Sequence, residues 1–66
     1  MEKMTWKDVR EKIGLTQAEM AERLNMSSQS YCQKENYLRK FAVNEAIAVL
    51  RMADIDPEDV ILVKGD

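Results

Sequence analysis

Apolar residues recur along this chain at helical spacing, in short blocks separated by turn-forming residues. Trp6, Val9 and Ile13 fall on one face of a first helix. Thr5 stands before it with Asp8 three residues on, a capping-box pattern, and Gly14 follows where a left-handed residue ends a helix. A second block starts at Thr16, with Glu19 in the capping-box position and an apolar stripe of Met20, Ala21 and Leu24. Asn25, which tolerates positive φ, is placed to end it. Ser27 caps a third helix reaching about Asn36, with Tyr31 as its main inward residue.

The segment from Tyr37 to Ala42 reads as a loop anchored by Phe41. A fourth helix is predicted from about Val43 to Ala53, burying Ala46, Ile47, Leu50 and Ala53 and stopping at Asp54. Its start is weakly capped, because Ala42 has no side-chain acceptor. Asp56-Pro57-Glu58-Asp59 combines an N-cap aspartate, proline at the first helical position and acids facing the helix dipole. It predicts a short fifth helix ending near Leu62, with Lys64-Gly65-Asp66 as a frayed tail. The pattern thus predicts an all-α, compact five-helix fold, one domain over residues 1–66 with an ordered core of about 5–63.

Composition narrows the class. The chain has 66 residues, 45% of them hydrophobic, with two glycines and one proline, a globular and helical profile. Burying about fifteen apolar side chains at roughly 1.5–3 kcal/mol each must offset the ordering of the backbone, so the margin is small. No apolar run is long enough to span a membrane, and the start, Met1-Glu2-Lys3-Met4-Thr5, lacks a signal-peptide core. Cys32 is the single cysteine, which excludes an internal disulfide and points to a reducing, cytoplasmic setting.

Enzymatic chemistry finds little to work with. There is no histidine, and one cysteine cannot build a zinc site. Asp54, Asp56, Glu58 and Asp59 serve a helix start and lack the spacing of a calcium loop. No catalytic residue, cofactor, metal or small-molecule ligand is expected. The net charge of −2 is unevenly spread: residues 1–40 hold eight Lys/Arg against six acids, residues 41–66 two against six.

The third helix carries the candidate chemistry. Its leading face holds Ser28, Gln29, Ser30 and Gln33, uncharged hydrogen-bonding side chains suited to reading base edges in a DNA major groove. Gln29 and Gln33 lie four apart and share a face.

From about Trp6 to Leu62 the chain resembles the lambda-repressor/Cro-like helix-turn-helix domain, also called the xenobiotic-response-element type, and the short phage-type repressors built on it. The resemblance is carried by Val9-Arg10-Glu11-Lys12-Ile13-Gly14-Leu15-Thr16-Gln17-Ala18-Glu19-Met20-Ala21, then Met26-Ser27, Lys34-Glu35-Asn36 and Asp54-Ile55-Asp56-Pro57-Glu58-Asp59-Val60. It implies a helix-turn-helix at helices 2 and 3, with Ser28, Gln29 and Gln33 at base-reading positions. It implies phosphate contacts from Gln17, flanked by Arg10, Asn36, Arg39 and Lys40, with Ser30 binding phosphate or the helix backbone. Glu35 matches a glutamate that orients a nearby basic side chain. The chain departs from the pattern at Tyr37, where glycine is usual, at Lys34, where a large apolar residue is usual, and at Asn25 in place of the turn glycine.

The resulting expectation is a sequence-specific regulator of transcription, a repressor, binding double-stranded DNA. One such domain makes few base contacts, so a homodimer on two related half-sites is expected, with Val60, Ile61, Leu62 and Val63 as the pairing surface. The alternative is a helical protein-interaction module, antitoxin-like or an anti-repressor, with little DNA affinity; the acidic C-terminal half and the pI of about 5.1 favour it.

Overall fold

A computed structural model describes residues 2–62. Four α-helices are present among them: α1 (Trp6–Ile13), α2 (Gln17–Arg23), α3 (Ser28–Glu35) and α4 (Val43–Ala53). None is long and apolar enough to cross a membrane. The all-α class is as expected, but the fifth helix is not there. Asp56 does cap a turn, accepting from the Glu58 N–H, and Pro57 opens it, yet the turn is a single 3₁₀ turn at Pro57–Asp59. Val60 then runs extended and pairs in parallel with Met4. Met4 donates to the Asp59 carbonyl at 2.9 Å and accepts from Ile61 N–H at 2.8 Å. A β-branched run beside a free backbone edge gains more from that pairing than from another helical turn. Val63 and the tail Lys64-Gly65-Asp66 lie outside the described residues.

Each helix starts on the cap read from the chain. Thr5 and Asp8 form a complete capping box at α1, as do Thr16 and Glu19 at α2, and Ser27 Oγ accepts from Ser30 N–H at α3. At α4 Ala42 contributes no side chain, but Glu45 Oε1 accepts from its N–H at 2.9 Å and supplies the return half of a box.

All four helices end alike. Gly14, Asn25, Tyr37 and Asp54 each have positive φ, at 87°, 59°, 65° and 55°. The residue after each one donates to a carbonyl five positions back: Leu15 to Arg10, Met26 to Ala21, Leu38 to Gln33 and Ile55 to Leu50. This is the Schellman arrangement, which satisfies carbonyls the helix leaves open. Nothing lies within 4 Å of a methyl group built on Gly14. Gly14→Ala is therefore expected to cost only backbone strain, about 1 kcal/mol, and Gly14→Asn less; thermal melting of the two variants checks the order.

The core is one cluster: Trp6 and Val9 of α1, Met20 and Ala21 of α2, Tyr31 of α3, Val49, Leu50 and Ala53 of α4, and Val60. Phe41 anchors the loop before α4, its ring 4.7 Å from Trp6 in an edge-on arrangement and 5.9 Å from Tyr31. Two expectations are corrected here. Ile47 is 45% exposed, and Val49 takes the inward place, because α4 turns Ala46, Val49, Leu50 and Ala53 to the core. Val60, expected on a pairing surface, is 2% exposed and belongs to the core.

Candidate nucleic-acid interface

Helices α2 and α3 pack on one another across the turn Leu24–Ser27, with Ala21 buried. On α3 the inward positions are Tyr31 and Glu35, four apart and both buried. Helical geometry puts Gln29, Gln33 and Asn36 on the opposite side, with Ser30 and Cys32 at its edges. Ser28 and Gln29 are exposed in the first turn; Gln33 is half-buried. The Asn36 amide donates back to the Cys32 carbonyl at 2.9 Å and lies 3.3 Å from its Sγ, so one side of that amide is already used. Of the three expected base-reading residues, Gln29 and Gln33 thus share the outer face, while Ser28, three residues before Tyr31, is exposed where it opens the helix.

The inner face is held by a buried ionic cluster. Arg10 Nε donates to Glu35 Oε1 at 2.6 Å, Nη2 lies 3.4 Å from Oε2, and Nη1 donates to the Leu15 carbonyl at 2.8 Å. Gln17 Nε2 donates to Glu35 Oε2 at 2.8 Å. Because an ionised carboxylate only accepts, it orients the Gln17 amide nitrogen inward and the carbonyl oxygen away. Burial pushes the Glu35 carboxyl up, but Arg10, Gln17 and Tyr31 more than offset this and hold it below the usual carboxylate range. The Tyr31 hydroxyl is buried near Glu35 and Arg10 and has no hydrogen-bond partner among the described residues. Burial first, and then Glu35, push its ionisation upward.

The expected phosphate set is therefore split. Arg10 is turned inward, its side chain 14% exposed and most of its donors committed. Gln17 stands at the first position of α2 with one amide hydrogen engaged. Arg39 and Lys40 are exposed in the loop after α3, Lys40 beside Phe41 and Val43 at the edge of an apolar groove. Lys34 is spent on Glu45, at 2.8 Å, and lowers that carboxyl.

Tyr37 has a role its sequence position did not disclose. Its backbone adopts the left-handed conformation that glycine commonly supplies at a helix end. Its hydroxyl accepts from Trp6 N–H at 3.2 Å and donates to the Ile61 carbonyl at 2.6 Å. One side chain thereby ties the exit of α3 to the start of α1 and to the C-terminal segment. Arg10 lies on the same stripe as Trp6, Val9 and Ile13, and Glu35 on that of Tyr31, a signal that sets both toward the core side but does not pair them.

Compared with known proteins, the chain matches no family model, no curated protein and no solved structure.

Proposed function

We propose that this protein is a sequence-specific DNA-binding regulator of transcription, a repressor, that lays α3 in the major groove. The observation that carries the reading is the two-sidedness of α3: Tyr31 and Glu35 lock its inner face, while Gln29 and half-buried Gln33 stand on the opposite side and Ser28 is exposed in the first turn. A glutamine amide holds adenine through N6 and N7, which discriminates by about 1–3 kcal/mol. Gln17, Ser30, Asn36 and Arg39 border that face and would hold the phosphates, fixing register without conveying sequence. Two copies on related half-sites would supply the contacts one domain lacks.

Binding to random duplex DNA tests the reading directly. Affinity should fall steeply as salt rises, with a slope of about 0.9 per phosphate neutralised. No detectable binding at low salt would sink it. Selection of bound sites from a random pool then gives the preferred sequence, against which single variants can be read. Gln29→Ala is expected to relax preference at one position by about 1–3 kcal/mol and leave others unchanged. Arg39→Ala is expected to weaken all sequences alike and to flatten the salt slope by about one phosphate.

A second reading, a helical protein-interaction module with little DNA affinity, draws support from the charges. Two basic side chains that touch α3 are already paired, Arg10 with Glu35 and Lys34 with Glu45. Absence of salt-dependent binding would favour it.

A further inference from the structure

Beside the polar outer side of α4, which carries exposed Asn44 and Arg51, one flank of the helix is apolar where a flank facing water is normally polar. Val43 is 75% exposed and Ile47 45%, with Leu62, 45% exposed, beside them. A groove of about 280 Å³ runs along this face between Trp6, Phe41, Val43, Ile47, Pro57 and Leu62. A second recess shares Ile47 and Pro57 with it and ends on Arg51 and Asp54. The face is also bipolar. Lys40 borders it before α4 begins, and Asp54 borders it where α4 ends. Both are exposed, and neither forms an ion pair among the described residues.

We propose that this face pairs two copies of the chain, with α4 packed antiparallel to its counterpart about a two-fold axis at Ile47. The charges select that occupant. Lys40 stands in the extended segment that leads into α4, and Asp54 caps the other end of the helix, so the two charges border opposite ends of the apolar face. An antiparallel pair centred on Ile47 therefore brings Lys40 of each copy toward Asp54 of the other. Val43 meets the aliphatic stem of Arg51 from the second copy, and the two Ile47 side chains meet at the axis. A closed two-fold contact needs this self-complementarity, opposite charges at the two ends of an apolar centre. The face replaces the surface expected around Val60, which is in the core. It deepens the pairing in the proposed function yet does not depend on DNA affinity, because the contact uses no residue of the α3 outer face.

Sedimentation equilibrium of the full chain without DNA tests it. A reversible monomer–dimer equilibrium is expected. Ile47→Lys should weaken it at least about tenfold with an unchanged circular dichroism spectrum, since Ile47 is a surface residue. Lys40→Glu should also weaken it, and adding Asp54→Lys should restore it by exchanging the charges. Asp54 sits at positive φ, so if that doubly substituted chain is unfolded, Lys40→Glu and Ile47→Lys decide alone. A wild-type chain that stays monomeric up to about 1 mM would overturn the proposal and leave the face to another protein. An Ile47→Lys dimer as tight as wild type would overturn it too. Neither result would touch the DNA reading, which is measured on separate samples.

Discussion

Glu35→Ala is expected to lose about 3–5 kcal/mol of stability, the cost of breaking a buried ion pair by removing one partner. The Glu35 side chain is 2% exposed and its Arg10 partner 14%, so the charge left behind on Arg10 stays largely out of water. Gln17 loses its acceptor in the same step. A domain of this size holds about 3–10 kcal/mol in all, so the variant is expected to be mostly or wholly unfolded. Urea titration followed by circular dichroism measures this. Glu35→Gln keeps the volume and one acceptor, and is expected to lose about 1–3 kcal/mol.

The same pair makes stability depend on pH. The Glu35 carboxyl is held below its unfolded value of about 4.3. A carboxyl lowered on folding contributes stability that is fully present above the unfolded pKa and is lost as pH falls through the folded one. Wild type should therefore weaken on acidification below about pH 5, and Glu35→Gln should lose less stability over that window. Parallel stability curves for the two proteins would show that the carboxylate is not the source.

Tyr37→Ala is expected to be the second most damaging change, at about 2–4 kcal/mol. Alanine removes a half-buried ring, the acceptor for Trp6 N–H and the donor to the Ile61 carbonyl, while its Cβ keeps the strain of φ 65°. Tyr37→Gly loses the same contacts but relieves about 1 kcal/mol of backbone strain. Tyr37→Phe keeps the ring and loses only the hydroxyl, about 1–2 kcal/mol. The expected order of stability is Tyr, Phe, Gly, Ala. If glycine exceeds tyrosine, the hydroxyl bridge does not hold the C-terminal segment and the left-handed position alone governs the site.

Much of the architecture was legible because it rests on local rules. Thr5, Thr16 and Ser27 cap where their side chains can reach an N–H three residues on, and Gly14, Asn25 and Asp54 end helices where positive φ is tolerated. The outward set on α3 was legible for the same reason, since periodicity alone opposes Gln29 and Gln33 to Tyr31. The face of α4 was ambiguous. Its sequence offers two apolar stripes, one through Ile47 and one through Val49, and only packing against α1 selects the second. The fifth helix failed for a related reason: its start signals are strong, but they act over one turn, whereas Met4 competes for Val60 and Ile61 from the other end of the chain.

What the amino-acid sequence determined by itself is where helices α1 to α4 begin and end, and which side of α3 faces water. Those features depend on neighbours three to five residues away, a range the chain carries in its own order. Only the tertiary structure decided that Arg10 turns to Glu35, that Tyr37 stands in for glycine by bridging Trp6 and Ile61, and that Val60 is core while Ile47 is surface. Each of these depends on partners far apart in sequence. Their free energy comes from burial and hydrogen bonds that exist only once the helices have met.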